Sequence, residues 1–230
     1  MNPEPDRLTR PTEFLDYESP TVRTFVENAL SGKDAKTDTD KAIALYYAVR
    51  DGIRYEVYGA DLSRSGLKAS SVIEAGFGFC VHKSIVYAAA VRSVGIPSRI
   101  VYGDVRNHLA SERLRQLVGG DVFRYHSLAS VHLDGKWVKA TPVFNKLLCR
   151  LYKIAPLEFD GRSDSLYHPY DELGRRHMEF LRMHGDFDDV PYDQVVDGIR
   201  QAHPLLFASS GKKTTAGSLA DEAAPIPTAH

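Results

Sequence analysis

Two cysteines and nine histidines carry whatever nucleophile-and-base chemistry this chain of 230 residues can perform. Cys80 stands apart from Cys149 by its surroundings. It follows Gly76-Phe77-Gly78-Phe79 and opens a helical pattern in which Cys80, Ser84, Tyr87 or Ala88, and Val91 share one side. A thiol on the first turn of a helix sits at the positive end of the macrodipole, where free backbone N–H groups stabilise a thiolate. Glycines ahead of it let a substrate backbone come close. Cys149, in Lys146-Leu147-Leu148-Cys149, has neither feature and reads as a small buried hydrophobe.

A nucleophilic thiol needs a base within hydrogen-bond reach, itself held by a third group. His126 is the best placed histidine. It opens a strand that runs into Asp134-Gly135, a strong hairpin dipeptide, and its side chain shares a face with Leu128 and Ser130. A helix packed on that face would bring imidazole and thiol together. The other histidines, His82, His132 and His203 among them, read as surface or satisfied core. A metal site built from Cys80, His82, His126 and His132 is disfavoured. Cys-x-His at a helix start aims its two side chains about 200° apart, and no Cys-x-x-Cys or His-Glu-x-x-His pattern is present.

The elements that must position these residues follow from periodicity and punctuation. Ser19 to Leu30 predicts a first helix with Ser19 as cap and Pro20 at its first position. Thr39 or Asp40 is expected to cap a second helix running to Arg50, which Gly52 ends. Ile53 to Val57 reads as a short extended segment, and Ser71 with Glu74 has capping-box spacing for a short helical turn. The Cys80 helix stops at Gly95 and Pro97. Strands are expected at Arg99–Tyr102, His126–Leu133 and Lys136–Ala140, with a helix within Arg106–Gly120 and another from Asp171 to Met183. Polar loops at Asp104–His108 and Phe159–Asp164 read as connectors with local Asx turns. Residues 1–18 form an N-terminal arm, 19–207 a domain, and 208–230 a tail too poor in large apolar groups to stay ordered.

Composition limits the function classes. With 43% hydrophobic residues the chain can build one substantial core. Lys+Arg at 29 against Asp+Glu at 30 leaves a formal charge of -1, so nothing electrostatic favours nucleic acid or an anionic membrane as partner. No apolar run is long enough to cross a bilayer or serve as a secretory signal, so the expected compartment is the cytoplasm, where thiols stay reduced.

Two blocks then resemble a known family. Val72-Ile73-Glu74-Ala75-Gly76-Phe77-Gly78-Phe79-Cys80, the alanine-rich helix, and Arg92-Ser93-Val94-Gly95-Ile96-Pro97-Ser98-Arg99 resemble the core of the transglutaminase-like superfamily: Gly-x-Cys, a helix, then R-x-x-G-I-P-x-R. The stretch from His126 to Trp137, with Asp134-Gly135 inside it, is similar to the family's His, strand, Asp-Gly, Trp block. The resemblance spans Thr39 to Pro142. It implies an α+β, papain-like layout with the nucleophile helix on an antiparallel sheet, Cys80 as nucleophile and His126 as general base. It implies cysteine-dependent acyl transfer or hydrolysis of a peptide, isopeptide or small amide through a thioester, with no cofactor and no metal. The family's third member is an aspartate four residues after the tryptophan. Here that place holds Thr141, so Thr141 or Asn145 is expected to orient the imidazole. The missing carboxylate keeps a second expectation open, a weak or inactive binding module on the same fold.

Overall fold

The computed structural model describes residues 5–108, 110–166, 178–211 and 218–219. A 3-10 turn over Pro5–Leu8 leads into α1 (Pro20–Leu30) and α2 (Asp38–Gly52). Ser19 caps α1 by accepting the Val22 N–H. α2 starts earlier than expected. Thr37, not Thr39 or Asp40, is its cap, because Asp40 reaches back to the Thr37 N–H and closes a capping box. Next come β1 (Arg54–Tyr55), α3 (Ala69–Ala75), β2 (Phe77–Gly78) and α4 (Cys80–Ser93). β1 and β2 pair in parallel, so only two residues of the Ile53–Val57 segment are strand. The Ser71–Glu74 capping box does not form. α3 begins after Lys68, and Glu74 instead accepts the Thr21 hydroxyl at 2.8 Å.

The second half supplies β3 (Ser98–Asn107), α5 (Glu112–Val118), β4 (Val122–Leu133), β5 (Lys136–Ala140), α6 (Lys146–Tyr152), β6 (Met178–Phe187), α7 (Tyr192–Ala202) and α8 (Pro204–Ser209). Four strands form one antiparallel sheet in the order β5-β4-β3-β6. Asp134 and Gly135 both take positive φ, 47° and 81°, as a two-residue hairpin turn requires. The architecture is α+β, with the Cys80 helix packed on the antiparallel sheet.

Two expectations fail for one reason, the reach of β3. This strand continues to Asn107, which turns the supposed polar loop after Asp104 into sheet and confines the following helix to Glu112–Val118. Its far edge recruits Met178–Phe187 as β6, so Met178–Met183 is strand rather than helix. Asp171–His177 lies outside the described residues. β6 is an edge strand with Leu181 and Met183 exposed, and its mixed apolar and polar sequence does not show the clean alternation of a half-buried strand. The Phe159–Asp164 loop matches its expectation: Asp160 Oδ1 accepts the N–H groups of Arg162 and Ser163, both at 2.8 Å.

α4 is buried on every side from Cys80 to Arg92, with α1, α2 and α3 on one flank and β3 and β4 on the other. Its charged residues are therefore inside the protein and need partners. Arg92 donates to the carbonyls of Ser98, Arg10 and Asp188. Lys83 Nζ donates to the carbonyls of Arg50 and Ile53 at 2.8 and 2.5 Å, tying the end of α2 to the first turns of α4. Burial lowers the Lys83 pKa to about 7. The C-terminal stretch is anchored further along than its composition suggests: Leu219 is buried. Among the described residues, no helix is long and apolar enough to cross a membrane.

Replacing Lys83 by Met keeps the volume but leaves two buried carbonyls without donors. Lys83→Met is expected to lower the free energy of unfolding by about 2 kcal/mol in a urea titration. A change within error would show that the α2–α4 tie contributes nothing.

Candidate active site

Three local features place the Cys80 sulfur. Gly76 takes the left-handed conformation, φ 71°, that ends α3. Gly78 lies so close to His82 that a Cβ there would meet the His82 side chain at 2.5 Å, so only glycine lets the chain enter α4 on this path. Phe79 is the extended N-cap, and Cys80 is the first helical residue. The thiol is free and buried. Burial pushes it up to about 11, while hydrogen bonds from the N–H groups of Ser127, Val81 and Cys80 itself act in the opposite direction.

The Ser127 amide is the contact that joins helix to sheet. Pairing of β4 with β5 stops at Ala129 and Ala140. Beyond that point β4 is paired only with β3, and the Ser127 N–H favours the charged form of the sulfur. This corrects the expected packing. α4 covers the face of β4 that carries Ala129 and Val131, as the bond from Ser98 Oγ to the Ala88 carbonyl on the paired face of β3 requires. His126, Leu128 and Ser130 lie on the other face. The thiol therefore approaches His126 around the strand edge, not across the face.

A bulge next to His126 sets its direction. Asp104 stands opposite two residues, Arg124 and Tyr125, where the β3–β4 register shifts. Tyr125 has φ 56°, left-handed for a non-glycine residue, at a cost of about 1–3 kcal/mol. The Asp104 carboxylate holds this geometry. It accepts Arg124 Nη1 at 2.6 Å, the Tyr125 N–H at 3.3 Å and His184 Nε2 at 2.8 Å, and these partners keep it below the usual carboxylate range despite burial. The Tyr125 ring stacks on His184 at 4.6 Å. Bulges of this kind re-aim the next side chain, which here is His126. Its strand partner must be small, because a Cβ on Gly103 would meet the Arg182 carbonyl of β6 at 2.9 Å.

Cys80 and His126 open onto one cavity of about 60 Å³ with an almost wholly apolar lining, including Tyr55, Phe79, Phe144 and Leu148. That is room for a few waters or a small acyl group. Burial alone lowers His126 to about 4. At neutral pH the proton therefore sits on the sulfur and the ring is neutral. His126 Nε2 is buried with no hydrogen-bond partner among the described residues. His203 lines the same cavity but is fully engaged, with Nδ1 donating to the Val118 carbonyl at 2.7 Å and Nε2 accepting the Arg124 N–H at 2.9 Å. Of the two histidines on this cavity, His126 is the one whose Nε2 has no partner among the described residues.

The orienting candidates are placed differently. Thr141 shares a second, smaller cavity with His126, but its hydroxyl donates to the Leu166 carbonyl at 2.9 Å. Asn145 lines neither cavity, and its Oδ1 accepts the Tyr55 N–H at 3.2 Å. Among the described residues, neither is bonded to the imidazole. Cys149 is buried apart from this cavity, its thiol directed at the Phe144 carbonyl. His132 lies against Trp137 on the hairpin, and among the described residues no group of three or more His, Cys, Asp or Glu is placed to hold a metal ion. The Ser127 amide and the Asp104 bulge were not anticipated. A main-chain donor has no sequence signature, and the charges around Asp104 give that stretch the pattern of a polar loop rather than of a strand.

The family model of the transglutaminase-like superfamily matches residues 23–142 of the chain. No curated protein matches it. One similar solved structure is a candidate cysteine protease from Cytophaga hutchinsonii, 17% identical, with a TM-score of 0.44, covering 62% of this chain and 43% of that one. Another is a candidate protease from Parabacteroides distasonis, 14% identical, with a TM-score of 0.36, covering 59% of this chain and 24% of that one. The chain thus spans less than half the length of either. The matched segment runs from within α1 to just past β5 and so contains Cys80, the bulge and His126; over half the chain is matched, and the chain belongs to the transglutaminase-like superfamily.

Proposed function

We propose that the chain is a cysteine-dependent acyl-transfer enzyme or hydrolase acting on a peptide, isopeptide or small amide. The observation that carries this is the shared cavity: a thiol at a helix start and an imidazole whose Nε2 has no partner among the described residues line one largely apolar enclosure. In the first step His126 takes the thiol proton as Sγ attacks the substrate carbonyl carbon. The oxygen becomes an oxyanion, met by the free N–H groups at the start of α4. The C–N bond then breaks, the leaving amine takes the proton from His126, and a thioester remains on Cys80. Water, activated by the same ring, attacks the thioester and returns the proton to sulfur, which gives hydrolysis. An amine in place of water gives transfer. No cofactor is needed for either course.

A second reading, a binding module that has lost its chemistry, draws on one observation. Residue 141 is a threonine whose hydroxyl is committed to Leu166, so this position supplies no carboxylate to steady the imidazolium that the first step creates.

One experiment separates the two. Incubated with an activated acetyl ester, the enzyme is expected to carry the acyl group on Cys80 by peptide mass spectrometry. Acylation should be absent in Cys80→Ala and slower by about 100-fold in His126→Ala. An unmodified protein, or an adduct on Cys149 alone, would favour the module. The pH dependence carries a further expectation. The ring accepts a proton only when it does not already hold one, so the acylation rate should rise as pH climbs through about 4 and stay level through neutrality. A rising limb at the ordinary histidine value of 6.5 would contradict a buried neutral base.

A further inference from the structure

One wall of the Cys80 cavity comes from the C-terminal segment. Leu219 is 2% exposed, and its side chain lines the cavity with Cys80 and His126. Its main chain is held at both ends. The Leu219 N–H donates to Glu56 Oε2 at 3.1 Å, and the Leu219 carbonyl accepts the Tyr152 hydroxyl at 3.2 Å. Glu56 is buried and fixed before this segment reaches it. Its Oε1 accepts the N–H groups of Val57 and Tyr58 at 2.9 and 3.1 Å, and its own N–H donates to the Gly78 carbonyl at 3.1 Å, two residues from the nucleophile.

An acceptor for one N–H, a donor for the carbonyl of the same residue, and an apolar hole for the side chain hold one peptide residue by both of its main-chain groups and by its side chain; Leu219 itself is helical there. None of these polar contacts reads the identity of Leu219. They would hold any peptide residue with an aliphatic side chain. A buried carboxylate reaching out to a single distant amide is also a costly arrangement unless that amide, or another like it, is present.

We propose that Glu56 and Tyr152 form a peptide-binding subsite of the Cys80 cavity, and that Leu219 of this same chain occupies it as an intramolecular peptide. The substrate class is thereby narrowed to peptides that place a leucine-like residue beside Cys80, and access to the thiol requires Leu219 to leave. This deepens the enzymatic reading, but the binding itself needs no chemistry at Cys80.

The test uses the full chain and a dye-labelled peptide with the sequence of residues 215–222, Thr-Ala-Gly-Ser-Leu-Ala-Asp-Glu. In the Leu219→Ala protein the side chain that fills the apolar hole is gone, and the peptide is expected to bind at least about 10-fold more tightly than to the wild-type chain, whose own Leu219 competes. Adding Tyr152→Phe, which removes only the hydroxyl, should weaken that binding by about 3- to 10-fold. Replacing the peptide's leucine by aspartate should abolish it. Cys80→Ala added to Leu219→Ala should leave it unchanged; peptide binding to Leu219→Ala together with no acylation of its intact Cys80 by the activated ester would retain the subsite and reject the enzyme. Equal binding to wild-type and Leu219→Ala proteins, no binding to either, or indifference to both Tyr152→Phe and the aspartate peptide would overturn the proposal.

Discussion

The whole arrangement depends on one meeting of sheet and helix, the Ser127 N–H beside the Cys80 sulfur where β5 has ended and β4 stays paired with β3 alone. A backbone donor at a free strand edge would otherwise need water. Here it fixes the first turn of α4 against β4, and thereby sets the thiol beside the residue that precedes Ser127 in the chain, His126. Shortening β5 by design of the sequence, rather than any special side chain, opens that edge: Thr141-Pro142 follows Ala140, and proline has no N–H to extend the ladder.

The rest of the structure holds these two elements still. α4 is enclosed by three helices and the sheet, so its first residue cannot shift without moving a packed core. Lys83 ties its early turns to α2, and Arg92 ties its last turn to the start of β3. On the other partner, Asp104 stabilises a left-handed Tyr125, and the strain accepted there fixes the direction of His126. Both groups are thus held in a dry place, and dryness sets their protonation: the thiol is driven up, the imidazole down, and a single proton lies between them on sulfur. The enclosure, about 60 Å³, also demands that something move before a larger group can enter.

Much of the site was legible because it is local. Gly76, Gly95, Pro97 and the Asp134-Gly135 turn act through backbone geometry within a few residues, and each falls where the sequence predicts. Cys80 at a helix start and His126 near a strand start come from the same kind of signal. Most of what escaped is non-local, the cap of α2 being a local exception. Thr37 rather than Thr39 caps α2 because one particular carboxylate, Asp40, reaches back to it. Met178–Met183 is strand because β3 offers an edge, which no window of eleven residues can register. The face of β4 that meets α4 is opposite to the one His126 occupies, since the thiol comes around the edge. Leu219, the lone large apolar residue of its polar neighbourhood, finds a hole assembled from β1, α4, α6 and α7.

The central claim is a buried pair that is neutral at both members. Nitrogen NMR of the His126 ring in the resting full-length protein addresses it directly, with His126→Gln assigning the signal. The account predicts a neutral imidazole at neutral pH that gains its proton only near pH 4, with or without the thiol replaced by serine. An imidazolium at neutral pH that vanishes in Cys80→Ser would contradict it, because the proton would then have left the sulfur before any substrate arrived.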